Sequence, residues 1–221
     1  HQVTKQLVRG VAHEIKNPLT PMKLNIQHLQ RVVKTNPEDI SDRVDKVADM
    51  LIQQIDTLTN IANEFSNFGK FPITKLEKID LVIVLQNLIK IKKKLKDRKL
   101  DLIVADSNLY SMVDKEQFIR AITNLIKNAD QSISENKFGF IKIKLSKIDG
   151  NIEIRVSDNG TGIPLEVYPK IFVPNFTTKN SGTGLGLAMV KNSIVTFNGS
   201  IRFESEVGVG TTFIILLPSV D

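Results

Sequence analysis

The sequence predicts an α+β protein with two parts. An N-terminal antiparallel helical hairpin precedes an α/β sandwich, in which helices cover one face of a mixed or antiparallel sheet. Three observations carry this prediction. Apolar residues recur every three or four positions through residues 3–65, strict alternation begins at Phe140, and glycine-rich clusters separate the last elements. The first pattern is typical of amphipathic helices and the second of half-buried strands.

Two long helices are predicted before residue 70. The first covers residues 3–34; the second follows Asn36, a good N-cap, and has Pro37 at its first position. It ends near Gly69 and Pro72, which are stop signals. Two amphipathic helices leave much of their apolar surface uncovered. Pairing with a second copy into a four-helix bundle would cover it, so a homodimer is predicted.

The elements of the second part follow Asp80. Alternation on both sides of Asp149-Gly150-Asn151 is a hairpin signature. No clear element is predicted for residues 159–184. Helices are predicted over residues 81–95, 115–135 and 185–197, and strands over residues 100–105, 110–113, 140–148, 151–158, 199–206 and 211–217.

Three segments result from this pattern. The helical hairpin is predicted over residues 1–69, a linker or short extended segment over residues 70–79, and the second domain over residues 80–221. A chain of 221 residues is long enough for two domains that each bury a core.

Composition excludes several kinds of protein. There is no cysteine, so disulfides and thiolate metal sites are excluded. No apolar run approaches the roughly 20 residues that span a bilayer, and no secretory signal is visible. Because the first methionine is Met22, we expect this chain to be a fragment of a longer protein. We expect the fragment to be cytoplasmic and any membrane anchor to lie in another part of the full-length protein. The basic run at residues 90–99 lacks interleaved aromatics, so a solvated face rather than nucleic-acid binding is expected.

Three glycine clusters predict a nucleotide site. They are "DNGTGI" (158–163), "GTGLGL" (182–187) and "GVGTTF" (208–213). A single cluster could equally be a turn, but three in this order are better explained by backbone amides that approach phosphate closely. Their spacing matches neither a Walker A loop nor a dinucleotide-binding loop. Asp158, at a strand end, can accept a hydrogen bond from an exocyclic amine such as that of adenine.

The stretch "VAHEIKNPLT" carries the second candidate site. It begins like a zinc-protease helix, but Asn17 stands where the second histidine ligand would be, so a zinc site is rejected. His13 lies two positions from both Val11 and Ile15 and therefore points off the apolar stripe. A lone histidine is more often structural or incidental, but this one has Glu14 beside it and Asn17 one turn further on the same face.

Together the motifs resemble a known family. "NLIKNADQSI", "DNGTGI", "IFVPNFTTK", "GTGLGL" and "GVGTTF" resemble the N, G1, F, G2 and G3 boxes of the GHKL ATPase fold. With "HEIKNPLTP" and "EFSNFGKFP" ahead of them, the whole chain resembles the catalytic core of a two-component sensor histidine kinase of the nitrogen-regulation (NtrY/NtrB-like) type. The resemblance implies a dimerisation and histidine-phosphotransfer hairpin, followed by a catalytic ATP-binding domain of the GHKL type.

The resemblance also implies the cofactors ATP and Mg²⁺ and the residues that hold them. Asn128 would bind Mg²⁺, Asn124 would face the phosphates, and Asp158 would bind adenine. Residues 161–181 would form a lid over ATP. Gly160, Gly162 and Thr211 would help Asp158 to bind the base, and Gly182, Gly184 and Gly186 would line the phosphates. Lys179 would place a positive charge over the phosphates. Phe172 and Phe176 would anchor the lid or would simply pack in the core.

One position departs from the family pattern. Many relatives carry Lys or Arg near the position of Asp130 or Gln131. Because Asp130 is acidic, no phosphate role is assigned to either residue.

On the first helix, the resemblance implies an ATP-dependent protein-histidine kinase. His13 would attack the γ-phosphate, with Glu14 orienting the imidazole or taking its proton. The phosphoryl group would pass to an aspartate on a response-regulator receiver domain, and Asn17 would position water for the regulator's dephosphorylation. Pro18 and Pro21 each remove a backbone hydrogen bond and so predict a soft point in the helix. The alternatives are an ATP-driven chaperone- or topoisomerase-type machine and a pseudo-kinase scaffold or pure phosphatase.

Overall fold

The computed structural model describes residues 2–35, 40–69, 74–92, 98–174, 176–177 and 184–220. It divides the chain into two compact units. The helical unit comprises His1–Pro72 with Pro174–Leu185, and the sheet unit comprises Ile73–Val173 with Gly186–Asp221.

The helical unit contains two long helices, α1 (Gln2–Thr35) and α2 (Ile40–Gly69), which pack against each other. Asn25 Nδ2 on α1 lies 3.9 Å from Met50 Sδ on α2. The predicted helical hairpin is therefore confirmed. Large apolar side chains remain exposed on both helices of the single chain, among them Leu24 at 59% and Ile52 at 57%.

The sheet unit contains the predicted elements in the order expected, together with a short first strand and a 3₁₀ helix. They are β1 (Glu77–Asp80), α3 (Leu81–Lys92), β2 (Arg98–Val104), β3 (Tyr110–Val113), α4 (Lys115–Ser132), β4 (Gly139–Ile148), β5 (Asn151–Asp158), a 3₁₀ helix (Leu165–Lys170), α5 (Gly186–Thr196), β6 (Ser200–Glu206) and β7 (Gly210–Pro218).

The main sheet is mixed, as the sequence predicted. Its strand order is β2-β4-β5-β7-β6, with β2 parallel to β4 and the other pairs antiparallel. In this register Val156 lies opposite Ile143 on one side and Phe213 on the other, so one face is continuously apolar. The amphipathic helix α4 buries Phe118, Ile122 and Leu125. Helices α3, α4 and α5 contact the strands and form the second layer of the sandwich.

One helix end and two short elements depart from the sequence-based expectation. Helix α4 ends at Ser132 rather than 135, because Ile133 adopts an extended conformation at the C-cap. Strand β1 occupies the end of the segment predicted as a linker or short extended segment, where it pairs with β3. The 3₁₀ helix forms where no element was expected. A four-residue strand and a six-residue 3₁₀ helix are too short to show a period in the sequence. The predicted residues 93–95 of α3 lie outside the described residues.

Within the described residues, no helix combines the length and apolar character needed to cross a bilayer.

A charged cluster lies on the other face of the sheet. Arg202 and Glu204 are two positions apart on β6 and therefore lie on the same face, where they form an ion pair. Arg155 on β5 pairs with Glu204 at 3.0 Å and with Glu153 at 3.5 Å. The hydrogen bond from Arg202, followed by the positive charge of Arg155, lowers the pKa of Glu204 below its ordinary value of 4.5.

This shift predicts a pH-dependent contribution to stability. A carboxyl group whose pKa is lowered by folding stabilises the protein above its unfolded pKa, and this contribution is lost as the pH falls through its folded pKa. We expect Glu204→Gln to lower the melting temperature slightly at pH 7. Below about pH 4.5 the difference from the wild type should shrink as the pH falls. Thermal melts of both proteins from pH 7 to pH 3 test this, and a difference that stays constant over that range would contradict it.

Candidate functional site: a buried aspartate at the end of β5

Asp158 is the last residue of β5 and is only 8% exposed. Its Oδ1 accepts hydrogen bonds from Gly160 N at 2.8 Å, from Ser132 Oγ at 3.1 Å and from Thr211 N at 3.3 Å. A carboxylate taken out of water needs such donors, because burial without them costs several kcal/mol. Three separate segments therefore meet at one carboxylate oxygen.

Two of the predicted glycines are required by this convergence. A Cβ built on Gly160 would lie 1.9 Å from Ser132 Oγ, and one built on Gly162 would lie 2.1 Å from the Glu206 carbonyl oxygen. Both contacts are shorter than real atoms allow. The structure thus brings Asp158, Gly160, Gly162 and Thr211 together as the sequence predicted, although their roles toward a nucleotide stay predictions.

The loop after Asp158 is tied down by its neighbours. Thr161 N donates to the Ser132 carbonyl oxygen at 2.9 Å, and Gly208 N donates to the Thr161 carbonyl oxygen at 2.8 Å. The first bond links the loop to the end of α4, and the second links it to the turn between β6 and β7. These bonds fix the backbone amides that surround the carboxylate.

Asn159 is a support that sequence reasoning missed. Its Oδ1 accepts from Phe140 N at 2.9 Å, its Nδ2 donates to the Phe138 carbonyl oxygen at 3.0 Å, and its own carbonyl oxygen accepts from Lys137 Nζ at 2.7 Å. The side-chain amide therefore bonds to backbone on both sides of Gly139 at the start of β4. The sequence signal that could have identified Asn159 is its position directly after Asp158, in the loop that follows a strand.

Helix α4 carries the two asparagines predicted to face phosphate and metal. Asn124 and Asn128 lie one turn apart on the same side of α4 and are both half-buried, while the opposite side packs into the core. A Cβ built on Gly186 would lie 3.9 Å from Asn124 Cγ, so the first residue of α5 is close to this asparagine. The N-terminus of a helix offers unpaired N–H groups to an anion.

This arrangement fits a nucleotide with its metal. An amide oxygen such as that of Asn128 suits Mg²⁺, which prefers oxygen ligands and keeps phosphate oxygens and water in its shell. The helix N-terminus at Gly186 suits phosphate. The carboxylate of Asp158 suits an exocyclic amine.

Asp130 now has a physical explanation. Its Oδ1 lies 3.1 Å from Arg98 Nε. The same guanidinium donates to the carbonyl oxygens of Ile133 at 3.0 Å and of Lys137 at 3.1 Å, beyond the last turn of α4. The Arg98 side chain is only 9% exposed. Asp130 therefore anchors an arginine that holds the C-terminal end of α4.

The predicted lid is described in part. Phe172 is half-buried and lies 6.1 Å from Phe203 and 6.4 Å from Phe213 between ring centroids, with Lys191 Nζ 5.5 Å from its own centroid. Its edge-on packing agrees with an anchoring role and equally with core packing. Phe176 is also half-buried, and Gly184 has a positive φ of 65°. Lys179 and Gly182 lie outside the described residues.

The histidine helix continues through both prolines. His13 and Glu14 lie on α1, but their side chains are outside the described part of the chain. Asn17 is exposed and Pro18 is buried. Thr20 Oγ1 donates to the Lys16 carbonyl oxygen and Asn25 Nδ2 to that of Pro21, each at 2.9 Å. Side-chain donors thus bond to the backbone of this segment, where prolines have removed two amide donors.

Two family models match the chain one after the other. Residues 4–71 match the His Kinase A (phospho-acceptor) domain. Residues 113–221 match the histidine kinase-, DNA gyrase B- and HSP90-like ATPase. The chain belongs to the histidine kinase family. It carries the phospho-acceptor domain and the ATP-binding ATPase domain of that family in the expected order.

Individual relatives agree with this assignment. A Rickettsia typhi protein named as an NtrY-like sensor histidine kinase is 35% identical over 191 residues, which cover 85% of this chain but 31% of that protein. The nitrogen-regulation character of the motifs is therefore confirmed for this histidine kinase core. The chain spans about a third of the length of such curated relatives.

Solved structures support the fold. The catalytic domain of the histidine kinase ThkA is 28% identical, with a TM-score of 0.58 over 65% of this chain and 95% of that one. ThkA in complex with the response regulator TrrA is 23% identical, with a TM-score of 0.72 over 99% of this chain and 63% of that one. The predicted α/β sandwich of the histidine kinase ATPase type is thereby confirmed.

The buried arginine of this histidine kinase yields a stability prediction. Arg98→Met removes a guanidinium that pairs with Asp130 and donates hydrogen bonds to carbonyl oxygens beyond α4. We therefore expect a loss of about 2–4 kcal/mol in the free energy of unfolding. Denaturant unfolding monitored by circular dichroism measures this loss.

The neighbouring Lys99 provides a matched control. Lys99 pairs with Asp101 at 3.0 Å, but the two side chains are 63% and 42% exposed. Lys99→Met should therefore change the free energy of unfolding by less than about 0.5 kcal/mol. Equal losses in the two variants would contradict the role given to Arg98.

Proposed function

We propose that this chain is the catalytic core of a sensor histidine kinase, which transfers the γ-phosphoryl group of ATP to His13. The observation that carries the proposal is the tandem match of a phospho-acceptor domain and an ATPase domain on one chain. The ATPase domain alone would also fit a gyrase- or chaperone-type machine. The phospho-acceptor domain, with a histidine followed by Glu14 and Asn17, favours the kinase.

The nucleotide would bind in the sheet unit. Asp158 would accept the exocyclic amine of adenine, and its donors Gly160, Ser132 and Thr211 support this role because they hold the buried carboxylate in one orientation. Asn124 and the N-terminus of α5 would face the phosphates, together with Gly182, Gly184, Gly186 and Lys179. Asn128 would hold Mg²⁺, which when bound neutralises charge on the phosphates.

The chemical step would take place at His13. One imidazole nitrogen would attack the γ-phosphorus, forming a P–N bond as the bond to the bridging oxygen breaks and ADP leaves. Glu14 would orient the ring or take the proton from its other nitrogen. Since phosphoryl transfer depends on positioning and charge stabilisation, the protein needs no further covalent group.

The partners follow from the same proposal. The phosphoryl group would pass from His13 to an aspartate of a response-regulator receiver domain. ThkA, which shares the fold, has been solved in complex with a response regulator. Asn17 would position water for the regulator's dephosphorylation, and its exposure on α1 supports access by a partner. The exposed apolar side chains of the hairpin support a homodimer with a four-helix bundle.

The domain limits remain part of the proposal. Residues 1–69 would form the dimerisation and phosphotransfer hairpin, residues 70–79 the linker, and residues 80–221 the catalytic domain. This part of the protein would work in the cytoplasm, where ATP and receiver domains are available.

Autophosphorylation tests the central step. Incubation with γ-labelled ATP and Mg²⁺ should give label that is acid-labile and alkali-stable, as expected for phosphohistidine. His13→Gln should abolish this label. His28→Gln, which changes an exposed histidine on the same helix, should retain it. Label that survives His13→Gln would refute the assignment of His13, and a wild type that takes no label would favour a pseudo-kinase scaffold.

The prolines of α1 give a second functional prediction. Pro18→Ala restores an amide that can donate to the Glu14 carbonyl oxygen, which would strengthen the helix at the reactive turn. One backbone hydrogen bond is worth about 0.5–1.5 kcal/mol. The ratio of kinase to phosphatase activity toward a receiver domain should therefore change roughly 2- to 10-fold.

The exposed Lys23, just beyond Pro21, supplies the control. Lys23→Ala leaves the backbone amides unchanged and should leave the ratio unchanged as well. An unaltered ratio of kinase to phosphatase activity in Pro18→Ala would contradict the proposal that the prolines weaken the helix so that it can switch between the two activities.

A further inference from the structure

Ser132 joins helix α4 to the loop that carries Asp158. It is the last residue of α4 and is half-buried. Its Oγ lies 3.1 Å from Asp158 Oδ1, and its carbonyl oxygen accepts from Thr161 N at 2.9 Å. Both its side chain and its backbone therefore contact the loop that carries Asp158.

The hydroxyl has two acceptors and one proton. Ser132 Oγ is also 2.7 Å from the Ala129 carbonyl oxygen, a contact within the last turn of α4. A serine hydroxyl can donate only once. A carboxylate oxygen attracts a donor more strongly than a neutral carbonyl oxygen does, so an ionised Asp158 competes well for this proton in spite of the longer distance.

Ser132 differs from the other two donors to Asp158 Oδ1 in its chemistry. The donors of Gly160 and Thr211 are backbone amides, which no side-chain truncation removes. The hydroxyl of Ser132 can be removed by a single side-chain change. The hydroxyl lies close to the backbone of Gly160, because a Cβ built there would lie 1.9 Å from its oxygen.

We propose that Ser132 is a positioning residue for base recognition. This inference rests on the proposed ATP site. Three donors converging on Oδ1 fix the plane of the Asp158 carboxylate and so determine where Oδ2 points. The Ser132 hydroxyl keeps that plane in the orientation that accepts the 6-amino group of adenine. Without the hydroxyl, the carboxylate loses one of the bonds that define its direction.

The consequence is a specific loss of base discrimination. A purine without the 6-amino group makes no hydrogen bond to Asp158, so its binding should not depend on Ser132. ATP should lose affinity when the hydroxyl is removed, whereas purine riboside triphosphate, which lacks this amino group, should hardly be affected. A merely structural role of Ser132 would weaken both nucleotides alike.

Calorimetric titration of the full chain with each nucleotide in the presence of Mg²⁺ tests the proposal. We expect Ser132→Ala to raise the Kd of ATP about 3- to 10-fold, which corresponds to one ordinary hydrogen bond, and the Kd of purine riboside triphosphate less than about 2-fold. The KM for ATP should rise while kcat at saturating ATP stays close to that of the wild type. Ser132→Thr, which retains the hydroxyl, should recover most of the discrimination.

Controls separate the possible failures. Ser134→Ala removes an exposed hydroxyl two residues further on and should change neither Kd. The ratio of the two Kd values, measured on the same sample, does not depend on the fraction of folded protein. An unchanged ratio in Ser132→Ala would overturn the positioning role while leaving the ATP site intact. A wild type that binds neither nucleotide would overturn the proposed function and this inference with it.

Discussion

The buried carboxylate of Asp158 is the constraint on which the catalytic domain depends. A carboxylate that is 8% exposed is stable only if donors surround it. Those donors come from the loop that follows it, from the end of α4 and from the start of β7. Satisfying one oxygen thus fixes the relative positions of three segments that are distant in sequence. The close approach also explains Gly210, whose φ is +146° and where a Cβ would lie 2.0 Å from the Asp158 carbonyl oxygen.

Helix α4 connects this constraint to Asn124 and Asn128, the residues proposed to face the phosphates and Mg²⁺. At its N-terminus the Asp114 side chain accepts from Gln117 N at 3.0 Å and from Lys75 N at 3.1 Å, which caps the helix and ties it to the segment before β1. At its other end Arg98 pairs with Asp130 and donates hydrogen bonds to the carbonyl oxygens that follow the helix. A helix held at both ends keeps Asn124 and Asn128 at a constant distance from the loop proposed to bind the base, which the proposed phosphoryl transfer requires because it depends on positioning.

How much of this could be predicted depends on the kind of signal each residue leaves. The hairpin follows from helical periodicity. Asp158, Gly160 and Gly162 follow from a glycine cluster whose backbone must approach other atoms closely, whereas Thr211 was implied only by the family resemblance. Arg98 and Ser132 escaped prediction because each acts through a tertiary contact of a common polar residue, with no period and no glycine to mark it. Asn159 escaped prediction although it lies inside the first glycine cluster, because its bonds to the start of β4 are tertiary contacts. Asp130 was noticed only as a departure, and its partner Arg98 lies 32 residues earlier in the sequence. Strand β1 was too short to be distinguished from a linker.

The division of labour between the two units follows from what changes during the proposed reaction. The adenine and the first two phosphates stay where they are, so their site gains from rigidity and can be built around a buried carboxylate and a clamped helix. The γ-phosphoryl group must leave that site and later leave the histidine as well. An acceptor that has to meet a nucleotide, a receiver domain and a water molecule in turn cannot be enclosed in the same rigid network. Placing it on a long helix, just before the segment where Pro18 and Pro21 remove two backbone donors, would leave the proposed acceptor able to move while the proposed base-binding site is held still.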